Sequence, residues 1–92
     1  MTTTTLKSMP YAQAKVIIND NGTINLVSYV TTVCVISPEG WLTVNRLYSS
    51  TTRKHIGAFM KEYCGCYYQL SKQIYNDNLQ YNINTGEVRP LI

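Results

Sequence analysis

Tyr48-Ser49-Ser50-Thr51-Thr52-Arg53-Lys54-His55-Ile56-Gly57-Ala58-Phe59-Met60-Lys61-Glu62-Tyr63 is the longest stretch of the 92-residue chain with a clear helical period. Ile56, Phe59, Met60 and Tyr63 fall at i, i+3, i+4 and i+7, which is one face of a helix. Ser49, Ser50, Thr51 and Thr52 precede that face. Their hydroxyls suit the first turn, where the amide N–H groups have no partner inside the helix. Cys64-Gly65-Cys66 ends the segment, since glycine adopts the left-handed conformation that closes a helix.

The chain upstream reads as strands. Lys15–Asn19 carries the β-branched run Val16, Ile17 and Ile18. Asn19-Asp20-Asn21-Gly22 supplies the residues of a tight turn. Residues 23–36 are too long for one typical strand and are expected to bend or bulge near Ser28–Tyr29. Ser37-Pro38-Glu39-Gly40 is a second turn. It makes a hairpin of Tyr29–Ile36 and Trp41–Leu47.

Downstream, Tyr67–Asp77 reads as a second helix, with Tyr67, Leu70 and Ile74 on one face and Tyr68 and Tyr75 flanking it. Leu79–Asn84 alternates apolar and polar residues, the mark of a half-buried strand. Asn84-Thr85-Gly86-Glu87 turns the chain, and Val88–Ile92 is expected to finish as a short edge strand in which Pro90 is tolerated. The order β-β-β-α-α-β-β predicts an α+β fold: a small antiparallel sheet of about four to five strands, packed on one face by a helix pair. Residues 1–92 form a single domain, with polar residues 1–9 expected to fray.

Hydrophobic content of 45% with 14% charge is that of a folded chain. No basic, apolar leader opens the sequence, and no run approaches the roughly 20 apolar residues of a membrane span. Three cysteines, an odd number, fit a reducing compartment better than a disulfide framework. A cytoplasmic protein is therefore expected. The net charge of +3 permits an acidic protein or a nucleic acid as partner without demanding either.

No catalytic set is evident. The five carboxylates are scattered over turns and helix ends, and His55 has no positioned third group beside it. The full inventory of soft and imidazole metal ligands is Cys34, His55, Cys64 and Cys66. Three cysteines and a histidine form a legitimate zinc set. However, Cys64 and Cys66 have only one residue between them, and Cys34 lies in an apolar strand. His55 and Cys64 would face nearly opposite sides of an unbroken helix. The reading is a protein without cofactor or metal, with zinc as the alternative.

The residues with a binding character are Arg46, Tyr48, Arg53, Lys54 and Lys61, joined by Tyr67 and Tyr68. Arg53 and Lys54 sit near a helix N-terminus, where the dipole disfavours cations, so their placement asks for a reason. Tyrosine and arginine dominate binding hot spots. Tyr48, Arg53, Lys54, Lys61, Tyr67 and Tyr68 are accordingly the expected partner-binding residues.

Gly40-Trp41-Leu42-Thr43-Val44-Asn45, the Leu47–Tyr63 stretch, Tyr68–Asn78 and Thr85-Gly86-Glu87-Val88 together resemble a group of small proteins of unknown function encoded by phages and mobile elements. The likeness covers about residues 26–88. The first fifteen residues, Cys64 and Cys66 fall outside its pattern. The resemblance implies a phage-related context and carries over no activity. By analogy of size and origin, it implies a non-enzymatic inhibitor that binds a host protein, with anti-CRISPR proteins acting on a Cas nuclease as a prominent class. A nucleic-acid-binding regulator and a phage assembly accessory are the alternatives.

Overall fold

The computed structural model describes residues 1–45 and 50–91. Five strands come first: β1 (Thr2–Thr4), β2 (Ala14–Ile18), β3 (Ile24–Ser28), β4 (Thr31–Ile36) and β5 (Trp41–Val44). Helix α1 (Ser50–Phe59) follows, and a π-helical turn, Met60–Cys64, extends it. Helix α2 (Tyr68–Asn76) then leads into β6 (Leu79–Asn82) and β7 (Val88–Pro90). All seven strands lie in one antiparallel sheet in sequence order, so β5 and β6 are neighbours although both helices separate them in the chain.

The α+β class agrees with the sequence reading, but the strand count of about four to five does not. Two features raise it to seven. Residues 23–36 do more than bend at Ser28–Tyr29. They reverse there, with Tyr29 in the left-handed region at φ 58°, and β3 pairs back onto β4. A β-bulge between Leu26 and Val27 shifts the register of that pair. The second addition is β1. Residues 1–9, expected to fray, place Thr2–Thr4 against Ile18–Val16 and bury Leu6 completely. A run of β-branched threonines favours a strand and stays soluble at an edge.

Strand alternation divides the sheet into two faces. Ala14, Val16, Leu26, Cys34, Ile36, Leu42 and Val44 belong to the core with Ile56, Phe59, Met60 and Ile74 from the helical layer. The predicted helix face is therefore the buried one, with Phe59 stacked on Tyr63 at 5.0 Å between ring centroids. Helix α1 lies over β3, and α2 over β5 and β6. The helices approach at Gly57, where a Cβ would stand 3.6 Å from that of Tyr68. Gly65 closes the π-helical turn in the left-handed conformation, its N–H bonded to the Met60 carbonyl. Leu47 and Ser49, read as strand end and cap, lie outside the described residues.

Candidate functional site

The helical layer carries the net charge. Residues 50–76 contain four basic residues, Arg53, Lys54, Lys61 and Lys72, and one acid, Glu62. The rest of the chain holds four basic and four acidic residues, so the net charge of +3 belongs to the helices. All four cations are exposed. Glu62 turns to its own chain instead, taking hydrogen bonds from the Lys7 N–H at 2.8 Å, the Ser8 N–H at 3.2 Å and the Ser8 hydroxyl at 2.9 Å. Burial works against its ionisation, but these donors outweigh burial and hold the carboxyl below its usual range.

Local structure explains the exposure. Thr52, His55, Ile56 and Phe59 fill the buried side of α1, which leaves Arg53 and Lys54 to the flank and back. Lys61, seven residues after Lys54, is exposed as well. Tyr67 precedes α2 and is 78% exposed. Tyr68 differs from the expectation of a binding residue: it is half-buried and packs on the core beside Gly57. Tyr48 and Arg46 lie outside the described residues. Lys72 and Tyr75, which the sequence reading did not select, join the exposed set. Their spacing from buried Ser71 and Ile74 on α2 was the available signal.

Acidic groups gather elsewhere. In an antiparallel meander the β2–β3, β4–β5 and β6–β7 turns share one end of the sheet. Those turns hold Asp20, Glu39 and Glu87, and Gly22 packs on Pro38 while Gly40 packs on Asn84. The molecule thus carries an acidic rim and a basic helical surface.

His55 and the cysteines occupy separate places. His55 is buried, its Nδ1 2.8 Å from Ser28 Oγ, which lies 3.1 Å from Thr52 Oγ1. The Tyr29 ring lies across it, with centroids 6.0 Å apart. Burial lowers the proton affinity of the imidazole. A serine beside a histidine has the form of a nucleophile and its base, but Ser28, Thr52 and His55 are each at most 3% exposed. What the group does in the fold is tie α1 to the β3–β4 turn. The three thiols influence one another instead. Burial, with Cys64 nearby, raises Cys34 strongly. Burial, with Cys66 nearby, pushes Cys64 up to about 12. Cys66 donates to the Cys64 carbonyl at 3.3 Å. Among the described residues, no group of three or more His, Cys, Asp or Glu side chains is arranged to hold a metal ion.

The profile of one family of unknown function, DUF8033, matches residues 1–84. The chain belongs to that family. No curated protein and no solved structure matches it. As a DUF8033 chain it has, among its described residues, no helix long and apolar enough to cross a membrane.

Proposed function

We propose that this protein is a non-enzymatic binding protein that docks its helical layer on an acidic surface of a protein partner. The observation that carries the reading is the concentration of the whole net charge on residues 50–76, the charges of the remaining chain cancelling. Such asymmetry steers association and orients the encounter complex. Lys54, Lys61, Arg53 and Lys72 supply the charge, and exposed Tyr67 and Tyr75 supply rigid apolar area. In a phage-related setting the partner is a host defence effector, such as a CRISPR–Cas nuclease, and the outcome is inhibition.

The test compares wild type with a Lys54→Glu, Lys61→Glu variant. Both are used to capture partners from host lysate with and without nuclease, and both are titrated into target cleavage by the host Cas nuclease. Loss in the variant of a nuclease-resistant protein partner, together with loss of inhibition, supports the reading. Capture of nucleic acid that disappears with nuclease and falls steeply with salt transfers the same surface to a nucleic-acid regulator. Equal capture by both proteins removes the helical layer from the interface.

A further inference from the structure

Cys64, Gly65 and Cys66 join the π-helical turn to α2. Gly65 is left-handed, at φ 66° and ψ 25°. Its N–H bonds to the Met60 carbonyl, and so does the N–H of Cys66 at 3.2 Å, which pins the three residues. By the radius, rise and turn of a helix, a helical residue of either hand sets its two neighbours' Cα atoms about 5.4 Å apart. Disulfides span Cα separations of about 4.4–6.8 Å, most often about 5.5–6 Å. Cys64 and Cys66 therefore stand at bonding separation without a change in the backbone.

The side chains agree with the backbone. Both cysteines pack against the core, whereas Gly65 is exposed and faces open space. Both thiols thus leave the turn on its inner side. The Cys66 thiol lies back over Cys64, 3.3 Å from its carbonyl oxygen. A hydrogen bond with the Cys66 thiol, burial, and then Cys66 and Cys64 as neighbouring groups raise the Tyr81 phenol, so one side chain of β6 adjoins the pair. Cys34 neighbours Cys64 but is fully buried in β4, where no solute reaches it.

We propose that Cys64 and Cys66 are a thiol–disulfide exchange site, whose co-reactant is a low-molecular-weight disulfide and whose oxidised form is the Cys64–Cys66 disulfide. Deprotonated Cys66 attacks one sulfur of the small disulfide, forms a mixed disulfide and expels one small thiolate. Cys64 then gives its proton to solvent, and its sulfur attacks Cys66 Sγ. The Cys64–Cys66 bond forms as the mixed disulfide breaks and the second small thiolate leaves. The two protein thiols lose two electrons and the small disulfide gains them.

The order of the steps follows from the environments. Burial, with Cys66 nearby, holds Cys64 as a thiol, up to about 12, so it does not attack first. Loading of Cys66 removes that neighbouring charge and places a reactive sulfur two residues away, where proximity offsets the scarcity of thiolate. A bond that closes so short a loop removes little chain entropy. It adds little stability and opens again under reductant, as befits the transient disulfides of a reducing compartment. Oxidation fixes the junction between α1 and α2, with exposed Lys61 and Tyr67 on either side of it. The chemistry is independent of the partner proposed for the helical layer.

The test holds the reduced full chain in oxidised glutathione at neutral pH, quenches it in acid, unfolds and alkylates it, and reads intact mass and a peptide map. The expected wild-type product is a monomer lighter by two hydrogens, with Cys64 joined to Cys66 and Cys34 alkylated. Dithiothreitol returns it to three free thiols. Cys64→Ser, which lacks the second thiol, accumulates one glutathione on Cys66. Cys66→Ser gains neither glutathione nor a cross-link in the time that wild type closes. A wild type that keeps three thiols overturns the proposal. So does a lasting glutathione adduct on Cys66, a bond to Cys34, or a disulfide between two chains. Circular dichroism establishes that the variants fold; should either not fold, the wild-type map alone decides by the same outcomes.

Discussion

Glu62, in the π-helical turn, accepts the backbone N–H of Lys7 across 55 residues of sequence. With the two bonds from Ser8, it holds the N-terminal loop so that Leu6 enters the core between β1 and β2. Glu62→Ala should cost about 1 kcal/mol, because a charge-assisted bond at a partly wetted site keeps only part of its value. Urea denaturation should show a lower midpoint with an unchanged slope. The folded-state pKa of Glu62 lies below its ordinary 4.5. Its contribution is therefore complete above pH 4.5 and lost as pH falls through the folded value. An acid limb in that window as steep in Glu62→Ala as in wild type would refute the assignment.

Ser28 and His55 make the corresponding test for the buried polar group. Ser28→Ala leaves His55 Nδ1 buried without its partner, at a cost of about 1–3 kcal/mol. The imidazole has a folded-state pKa below its ordinary 6.5, so the unfolded chain binds the proton more readily. Stability should be greatest above pH 6.5. It should fall as pH drops from there to the folded value and level off beneath it. His55→Gln should flatten that limb, and an unaltered limb in this variant would count against burial as its origin.

How much of this was legible follows from the range of each interaction. The face of Ile56, Phe59 and Met60 and the Gly65 stop are local, and periodicity and glycine declare them. The reversal at Tyr29 was legible only as a bend, since nothing in a tyrosine announces a left-handed residue. Strand β1 was invisible because threonines and one leucine give no apolar pattern; its pairing with β2 and the Lys7–Glu62 bond are tertiary. The exposure of Arg53, Lys54 and Lys61 agrees with places off the apolar face of α1, whereas Tyr67, grouped by period with Leu70 and Ile74, precedes α2 and is exposed. The half-burial of Tyr68 was not legible, because it comes from packing against the core and the neighbouring helix.

Two glycines should respond in opposite directions to alanine. Gly40 has φ 94°, and a Cβ there would stand 2.5 Å from Asn84 Nδ2. Gly40→Ala should therefore destabilise by at least about 1 kcal/mol, through left-handed strain and displacement of the amide. Gly57 lies within α1 and offers a new Cβ only ordinary contact with Tyr68. Gly57→Ala should gain up to about 1 kcal/mol from helix propensity. Thermal melts of the two variants would settle both signs, and a destabilised Gly57→Ala would mean that the helices cannot yield at that contact.

Thiol chemistry should follow burial. Cys34 is fully buried in β4. Cys64 rises from an ordinary 9.0 to about 12, which leaves about a thousandfold less thiolate at neutral pH. Since the thiolate is the nucleophile, an aromatic disulfide reagent at pH 7.5 should modify Cys34 only as fast as the fold opens and Cys64 far more slowly than a free cysteine. In denaturant all three thiols should react in one fast phase. The same protonated thiols must release protons before any zinc can bind, so adding zinc to the folded chain should neither acidify a weakly buffered solution nor raise the melting temperature. Proton release at a ratio of one zinc per chain would instead restore Cys34, Cys64 and Cys66 as a ligand set and require β4 and the π-helical turn to rearrange around it.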